Sequence, residues 1–169
     1  IIVAILGYFS ALRLDACPKR AVNDFLCGLF HDLPEVLTRD IISPIKRSVE
    51  GLDELIKDIE KRQIAEKILP LLPSEWHKEI LYFAENEFAD RVVINGNVKF
   101  LDSPEEISEK YNEDKYYAVD GSVLKGCDHL AAFVEAWLSI RHGITSQHLR
   151  EGEEKIGEMY KAKSIAGIN

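Results

Sequence analysis

The sequence predicts an all-α protein: a helical bundle with one small β-hairpin near residues 91–101. Apolar residues recur at helical spacing along most of the chain. A single Asn95-Gly96 pair lies between two short apolar runs, which is the pattern of a hairpin with a type I′ turn. No internal repeat, low-complexity tract or Gly/Ser linker interrupts the 169 residues, so we expect a single domain over 1–169.

The helices are delimited by prolines, glycines and capping residues. We expect helices over 1–11, from Pro18 to 30, 35–38, 46–69, 74–88, a short one from Pro104, 119–141 and 145–162. Ser74 is expected to cap its helix, and Gly143 to end the helix before it. The helix over 119–141 is the most apolar, so we expect it to be the most buried.

The composition limits the classes of partner. The hydrophobic fraction of 46% is enough for a sizeable core, and the net charge of −8 argues against nucleic acid as a partner. A small anionic substrate stays possible, because a bound cation can outweigh the distant field. Cys17, Cys27 and Cys127 form no CxxC pair, which predicts buried thiols in a reducing cytoplasm.

The first six residues are apolar, but this run is too short to span a bilayer. No basic stretch precedes it, so a signal peptide is not indicated either. We therefore expect a cytoplasmic protein that does not enter a membrane, and we interpret the run as the remainder of a helix whose beginning lies upstream of Ile1.

Two segments place ionisable residues among apolar ones. His31 and Asp32, with Glu35 close by, follow an apolar helix, and Asp128 lies on the most apolar helix. Burying such groups is costly unless they have partners, and a divalent cation would be one. Imidazole nitrogen with carboxylate oxygen suits Mn, Fe, Co, Ni or Zn. A His-Asp dipeptide alone is a weak signal, since most are surface pairs or helix caps.

The stretch 31–40, followed by Ser43-Pro44-Ile45-Lys46, resembles the signature of the HD-domain 5′-deoxynucleotidases, HD-x-x-E-V-x-x-x-D. The run Cys127-Asp128-His129-Leu130 is similar to the last metal-binding helix of that family. The resemblance covers 1–46 and about 119–158. The segment between them looks like an insertion.

This resemblance implies a set of site residues. His31, Asp32 and Asp128 would be metal ligands, and Glu35 the catalytic carboxylate. A further ligand histidine of the family falls just before Ile1, outside the printed sequence. The substrate contacts would be Asp32, Asp40, Ile41, Ile42, Ser43, Lys46 and Asp128. The family has Leu-Pro-Thr where this chain has Ile41-Ile42-Ser43. Backbone contacts to the substrate would be kept, while the nucleoside selectivity stays open. Lys46 either opposes the charge of the substrate phosphate or is solvated.

The resemblance implies hydrolysis of nucleoside 5′-monophosphates to nucleoside and phosphate by a metal-bound water, in a homodimer. One alternative keeps the metal site but changes the substrate to a deoxynucleoside triphosphate, a cyclic dinucleotide or an alarmone. The other is a non-catalytic helical module that binds a nucleotide or a partner protein. A panel of substrates distinguishes the first alternative from hydrolysis of 5′-monophosphates. Elemental analysis for a stoichiometric transition metal distinguishes the second alternative from a metal-dependent enzyme.

Overall fold

The computed structural model describes residues 1–38, 51–144, 146–161 and 163, apart from the side chain of Asp53. The chain divides into two compact units, one formed by Ile1–Leu29 with Glu87–Asn169 and the other by Phe30–Asn86.

The all-α prediction with one small hairpin is confirmed. In chain order the helices are α1 Ile2–Arg13, α2 Pro18–Phe30, α3 Glu35–Thr38, α4 Leu52–Gln63, α5 Ser74–Ala84, α6 Pro104–Lys110, α7 Gly121–Arg141 and α8 Gln147–Tyr160. The strands are β1 Arg91–Ile94 and β2 Asn97–Phe100. Short non-α turns are a π-helix at Ile64–Ile68 and 3₁₀ turns at Leu69–Leu71 and Asp114–Tyr116.

The hairpin forms at the predicted place. β1 and β2 are antiparallel, with Ile94 opposite Asn97 next to the turn. Asn95 and Gly96 have φ values of 51° and 80°. Two consecutive positive φ angles define a type I′ turn, whose twist matches that of the strands. Beneath the hairpin, Val92 packs into a small buried cluster of its own.

In the first unit, α1 packs closely against α2 and α7 through glycines. A Cβ built on Gly28 of α2 would lie 2.9 Å from Ala4 Cα of α1. A Cβ on Gly7 would lie 2.6 Å from Leu124 Cδ2 of α7 and 3.3 Å from Asp24 O of α2. Glycine is therefore required at Gly28, because a Cβ there would collide with the backbone of α1, whereas a Cβ on Gly7 would require the Leu124 side chain to move.

The buried face of α2 differs from the predicted one. The sequence pattern suggests a face made by Ala21, Phe25, Leu26, Leu29 and Phe30, of which only Ala21 is buried. The buried residues are instead Arg20, Ala21, Asn23, Asp24, Cys27 and Gly28. Polar residues can occupy this face because they hydrogen-bond to residues 87–120, which offsets their loss of hydration.

Several helix ends depart from the prediction; among them, the α-helix predicted to run to residue 69 ends at Gln63 and continues as the π-helix. Pro73, not Ser74, is the cap residue of α5, and the Ser74 side chain makes no capping bond. Helix α5 ends at Ala84, four residues earlier than expected. At the other predicted end, Gly143 has a φ of 85° and its N–H donates to Ile140 O, as expected after a helix terminus.

Helix α7 is buried mainly in its first half. Val123, Leu124 and Cys127 are buried there, and Ala136 is buried further along. Four large apolar side chains of the second half are between 37% and 47% exposed: Leu130, Val134, Trp137 and Leu138. The expectation that the whole helix is the most buried is wrong, although its N-terminal half does form core.

The prediction that the cysteines are buried free thiols is confirmed for two of the three. The cysteines form no disulfide; Cys27 and Cys127 are buried, whereas Cys17 is half-buried. Burial raises the pKa of Cys27 to about 11, so this thiol stays protonated at neutral pH.

Candidate metal centre

The chain leaves α2 in a tight turn that carries the predicted His-Asp pair. His31 to Pro34 form this turn, which is closed by a hydrogen bond from Leu33 N to Phe30 O of 2.9 Å. A second bond, from Glu35 N to Asp32 O at 3.1 Å, leads directly into α3. The sequence predicts a helix break at Leu33-Pro34-Glu35; the break is confirmed, and it begins directly after Phe30. It places three ionisable residues within five positions of each other.

The donor atoms of His31 and Asp32 converge. His31 Nε2 lies 3.1 Å from Asp32 Oδ2, with side chains 9% and 74% exposed respectively. A cation bound at about 2.1 Å to two ligands at right angles holds their donor atoms about 3 Å apart. The pair therefore fits two adjacent positions of one divalent coordination sphere, with the aspartate side open to solvent.

Glu35 is the half-buried first residue of α3. This short helix is tied to α4 by Thr38 Oγ1, which donates to Glu60 Oε1 at 3.0 Å. Glu60 is itself only 7% exposed. The bond fixes a helix of four residues that would have little stability alone, so the backbone of Glu35 has a defined place beside the His-Asp turn.

Asp128 lies half-buried in α7, on the first unit. Burial raises the pKa of Tyr160 in α8, and the negative charge of Asp128 raises it further. Burial lowers the pKa of His129, while Asp128 opposes that change. The His129 ring is hydrogen-bonded to Tyr160, with Nδ1 and the phenol oxygen 2.7 Å apart.

The predicted site residues thus fall into three groups. His31, Asp32 and Glu35 lie together in the second unit, whereas Asp128 lies in the first. Shared coordination of one cation by His31, Asp32 and Asp128 stays a prediction. Asp40, Ile41, Ile42, Ser43 and Lys46 lie outside the described residues. Among the residues that are described, no group of three or more His, Cys, Asp or Glu is arranged to hold a metal ion.

The sequence pattern missed a buried polar cluster on α2. Arg20 and Asp120 are both 0% exposed, and the Arg20 guanidinium donates from Nε and Nη2 to the two carboxylate oxygens at 2.7 and 2.8 Å. Asp24 Oδ1 accepts from the Asp120 backbone N–H at 2.9 Å. The available signal was the i, i+4 spacing of Arg20 and Asp24, which ordinarily indicates an exposed helical ion pair.

The surroundings of Asp24 disfavour its ionised form. Burial raises its pKa well above the usual value, and the negative charge of Asp120 raises it further. Asp24 Oδ2 is buried without a hydrogen-bond partner among the described groups. A proton on Asp24 that is shared with the Asp120 carboxylate would give both carboxyl groups a hydrogen-bond partner.

A helical fold with a converged histidine and aspartate directly after a helix is characteristic of HD-type metal-dependent hydrolases. The chain belongs to the HD-domain family, because the family profile described as HD domain matches residues 2–157. Proteins of this family are generally metal-dependent phosphohydrolases that bind divalent cations. The comparisons with curated proteins and with solved structures each gave no match.

Membrane insertion of the described helices is not indicated. Within the described ranges, every helix is too short or too polar to cross a bilayer.

Proposed function

We propose that this HD-domain protein hydrolyses nucleoside 5′-monophosphates to nucleoside and inorganic phosphate. The observation that carries the proposal is the approach of His31 Nε2 to Asp32 Oδ2 at 3.1 Å. Glu35 follows on the next turn of backbone. The resemblance of 31–46 to the 5′-deoxynucleotidase signature supports the choice of substrate.

His31, Asp32 and Asp128 would hold the divalent cation, which we expect to be Mn, Co, Fe, Ni or Zn. When bound, it lowers the pKa of a coordinated water and offsets negative charge on the phosphoryl oxygens. This charge compensation matters in a chain of net charge −8, whose overall field repels a nucleotide.

Glu35 would be the general acid/base. The oxygen of a water forms a bond to phosphorus, and the bond from phosphorus to the 5′-oxygen breaks. The Glu35 carboxylate either takes the proton of the attacking water or, once protonated, gives a proton to the leaving 5′-oxygen. The tie between Thr38 and Glu60 supports this role by fixing the helix that Glu35 begins.

The remaining substrate contacts rest on the resemblance. Asp40 would accept a hydrogen bond from a sugar hydroxyl, and the backbone of Ile41, Ile42 and Ser43 would line the nucleoside. Lys46 would oppose phosphate charge. Asp32 and Asp128 would contact the substrate from the side of the metal. The active form would be a homodimer in the cytoplasm.

A panel of nucleotides tests the substrate. The full-length protein is assayed for phosphate release with added Mn²⁺ or Co²⁺ on ribo- and deoxynucleoside 5′-monophosphates, deoxynucleoside triphosphates, cyclic dinucleotides and alarmones. We expect turnover of the monophosphates. Preferential turnover of another group would overturn the substrate assignment. Absence of turnover throughout, together with no bound transition metal, would favour the non-catalytic module.

A matched pair of variants tests Glu35. Glu35→Gln keeps the shape of the side chain but removes the acid/base group, so kcat should fall by about 10²- to 10⁴-fold while Mn²⁺ affinity is kept. Glu75→Gln makes the same change in the first turn of α5, at an exposed position of the same unit. It should leave kcat unaltered. Wild-type turnover by Glu35→Gln would contradict the assignment.

A further inference from the structure

Residues 87–120 lie along α2 and cap its beginning. Asn112 Oδ1 accepts from Cys17 N at 2.9 Å, and Asp114 Oδ1 accepts from Lys19 N at 3.0 Å. Asn112 Nδ2 also donates to Asp15 O at 3.0 Å. The first N–H groups of a helix have no partner within it. Side chains about 95 residues further along the chain supply those partners here.

The contacts continue along the next turns of α2. Asp120 receives the two hydrogen bonds from Arg20 and donates its own N–H to Asp24. Between them, Asn23 Nδ2 donates to Ala118 O at 3.1 Å. The side chains of these four residues are all buried and at most 1% exposed: Arg20, Asn23, Asp24 and Asp120.

The last turn of α2 is held as well. Cys27 Sγ donates to Glu87 O at 3.4 Å, and Arg91 Nη2 lies 3.5 Å from the same sulfur. The segment 87–120 thus contacts α2 from before its first residue to three residues before its end.

Asp120 connects this arrangement to α7. It is the cap residue of α7, and its carbonyl accepts from Leu124 N at 3.0 Å. Asp128, the predicted metal ligand of α7, follows two helical turns later. Helix α2 leads directly into His31. One residue is therefore bonded to both helices from which the predicted ligands come.

We propose that Asp120, together with Asp24, is a positioning residue of the metal site: it fixes α2 against the beginning of α7 and so holds the helix from which the His31-Asp32 turn follows. This inference rests on the proposed function. A buried bidentate pair combined with a backbone hydrogen bond defines both distance and rotation, whereas an apolar contact would allow the helices to slide. Residues 87–120 act in this role as a brace for the helix that precedes the site.

Three variants of the full-length protein test this role. Asp24→Ala removes the acceptor of the Asp120 N–H. Asp24→Asn retains an acceptor and places an N–H donor where the neutral acid has its proton. Asp90→Ala is the matched control, because Asp90 Oδ1 accepts from Ser122 N at 2.9 Å and its other oxygen accepts from the Ser122 hydroxyl. Asp90 therefore also secures the start of α7, through a bond that does not involve α2.

The readouts are the Kd for Mn²⁺ by calorimetry and the melting temperature of each variant. Asp24→Ala should raise the Kd by about tenfold or more, the range seen when groups that orient metal ligands are lost. Asp24→Asn should bind Mn²⁺ like the wild type. Asp90→Ala should melt at a lower temperature with an unchanged Kd. Equal increases in Kd for Asp24→Ala and Asp90→Ala, or no increase for Asp24→Ala, would overturn the proposal.

Two further variants keep the outcome interpretable. If Asp24→Ala does not fold, Asn112→Ala weakens the same brace at a half-buried position and should raise the Kd less strongly; an unchanged Kd would count against the brace. His31→Ala should abolish Mn²⁺ binding. Wild-type affinity in His31→Ala would refute the metal site of the proposed function. Loss in His31→Ala with no change in Asp24→Ala would refute only the positioning role.

Discussion

Arg20 and Asp120 form a fully buried bidentate ion pair between α2 and the beginning of α7, with N–O distances of 2.7 and 2.8 Å. The guanidinium also donates to Ser108 Oγ at 3.1 Å and to Asn112 Oδ1 at 3.3 Å. Every nitrogen of the guanidinium thus has an acceptor. The desolvation of both charges is compensated by direct contacts, and loss of either partner would leave the other charge buried alone.

Replacement of Arg20 should therefore be strongly destabilising. Arg20→Met keeps the apolar stem but leaves the Asp120 carboxylate without its cation, so we expect the free energy of unfolding to fall by about 3–5 kcal/mol. Urea denaturation followed by circular dichroism measures this change. Lys110→Met, at an exposed pair with Glu106, is the control and should cost less than about 1 kcal/mol. Similar small losses in both variants would show that the buried pair contributes little.

The position of this pair shows which features the sequence could not predict. Hairpin, helix break and helix order follow from local rules, because Asn95-Gly96 and Pro34 act on their immediate neighbours. The buried face of α2 depends on Asp120, which is 100 residues away from Arg20. A rule that assigns polar residues to the surface fails wherever such a distant partner satisfies them.

The candidate site likewise has one feature that local sequence predicts and one that depends on distant residues. The turn that brings His31 next to Asp32 is a local feature, and the motif predicts it. Its relation to Asp128, which lies in the other unit, is a matter of tertiary structure, and the periodicity and spacing of the sequence carry no information on it. The family profile over 2–157 supports the assignment as a metal-dependent phosphohydrolase, while the substrate rests on the proposal above.

The raised pKa of Asp24 predicts how stability depends on pH. Above the usual value of 3.8 the unfolded chain releases this proton, whereas the folded protein retains it up to its raised pKa. The folded state then binds more protons, so the contribution of Asp24 is greatest at low pH and is lost as the pH rises through that window. Asp24→Asn lacks this titration. Its stability relative to wild type should increase with pH, by at most about 1.4 kcal/mol per unit.

Urea unfolding of both proteins between about pH 4 and pH 7 measures this difference. The groups that act on Asp24 are Arg20 and Asp120, and both are present in the variant. Asp102→Asn, at an exposed carboxylate, controls for the loss of one negative charge. A difference between Asp24→Asn and wild type that is constant across this range would show that Asp24 titrates alike in the folded and unfolded chains.

Two glycines should respond in opposite directions to the same substitution. Gly96 has a φ of 80°, and Gly152 lies inside α8; a Cβ would meet nothing within 4 Å at either position. An added Cβ would thus meet no neighbour at Gly96 or at Gly152, and the two positions differ in backbone conformation. Gly96→Ala should lower the free energy of unfolding by about 1 kcal/mol, because alanine is strained at positive φ. Gly152→Ala should raise it by about 0.5–1 kcal/mol, because alanine restricts the unfolded chain and favours the helix. Thermal and urea unfolding of the two variants give both values, and a stabilising Gly96→Ala would contradict the type I′ turn.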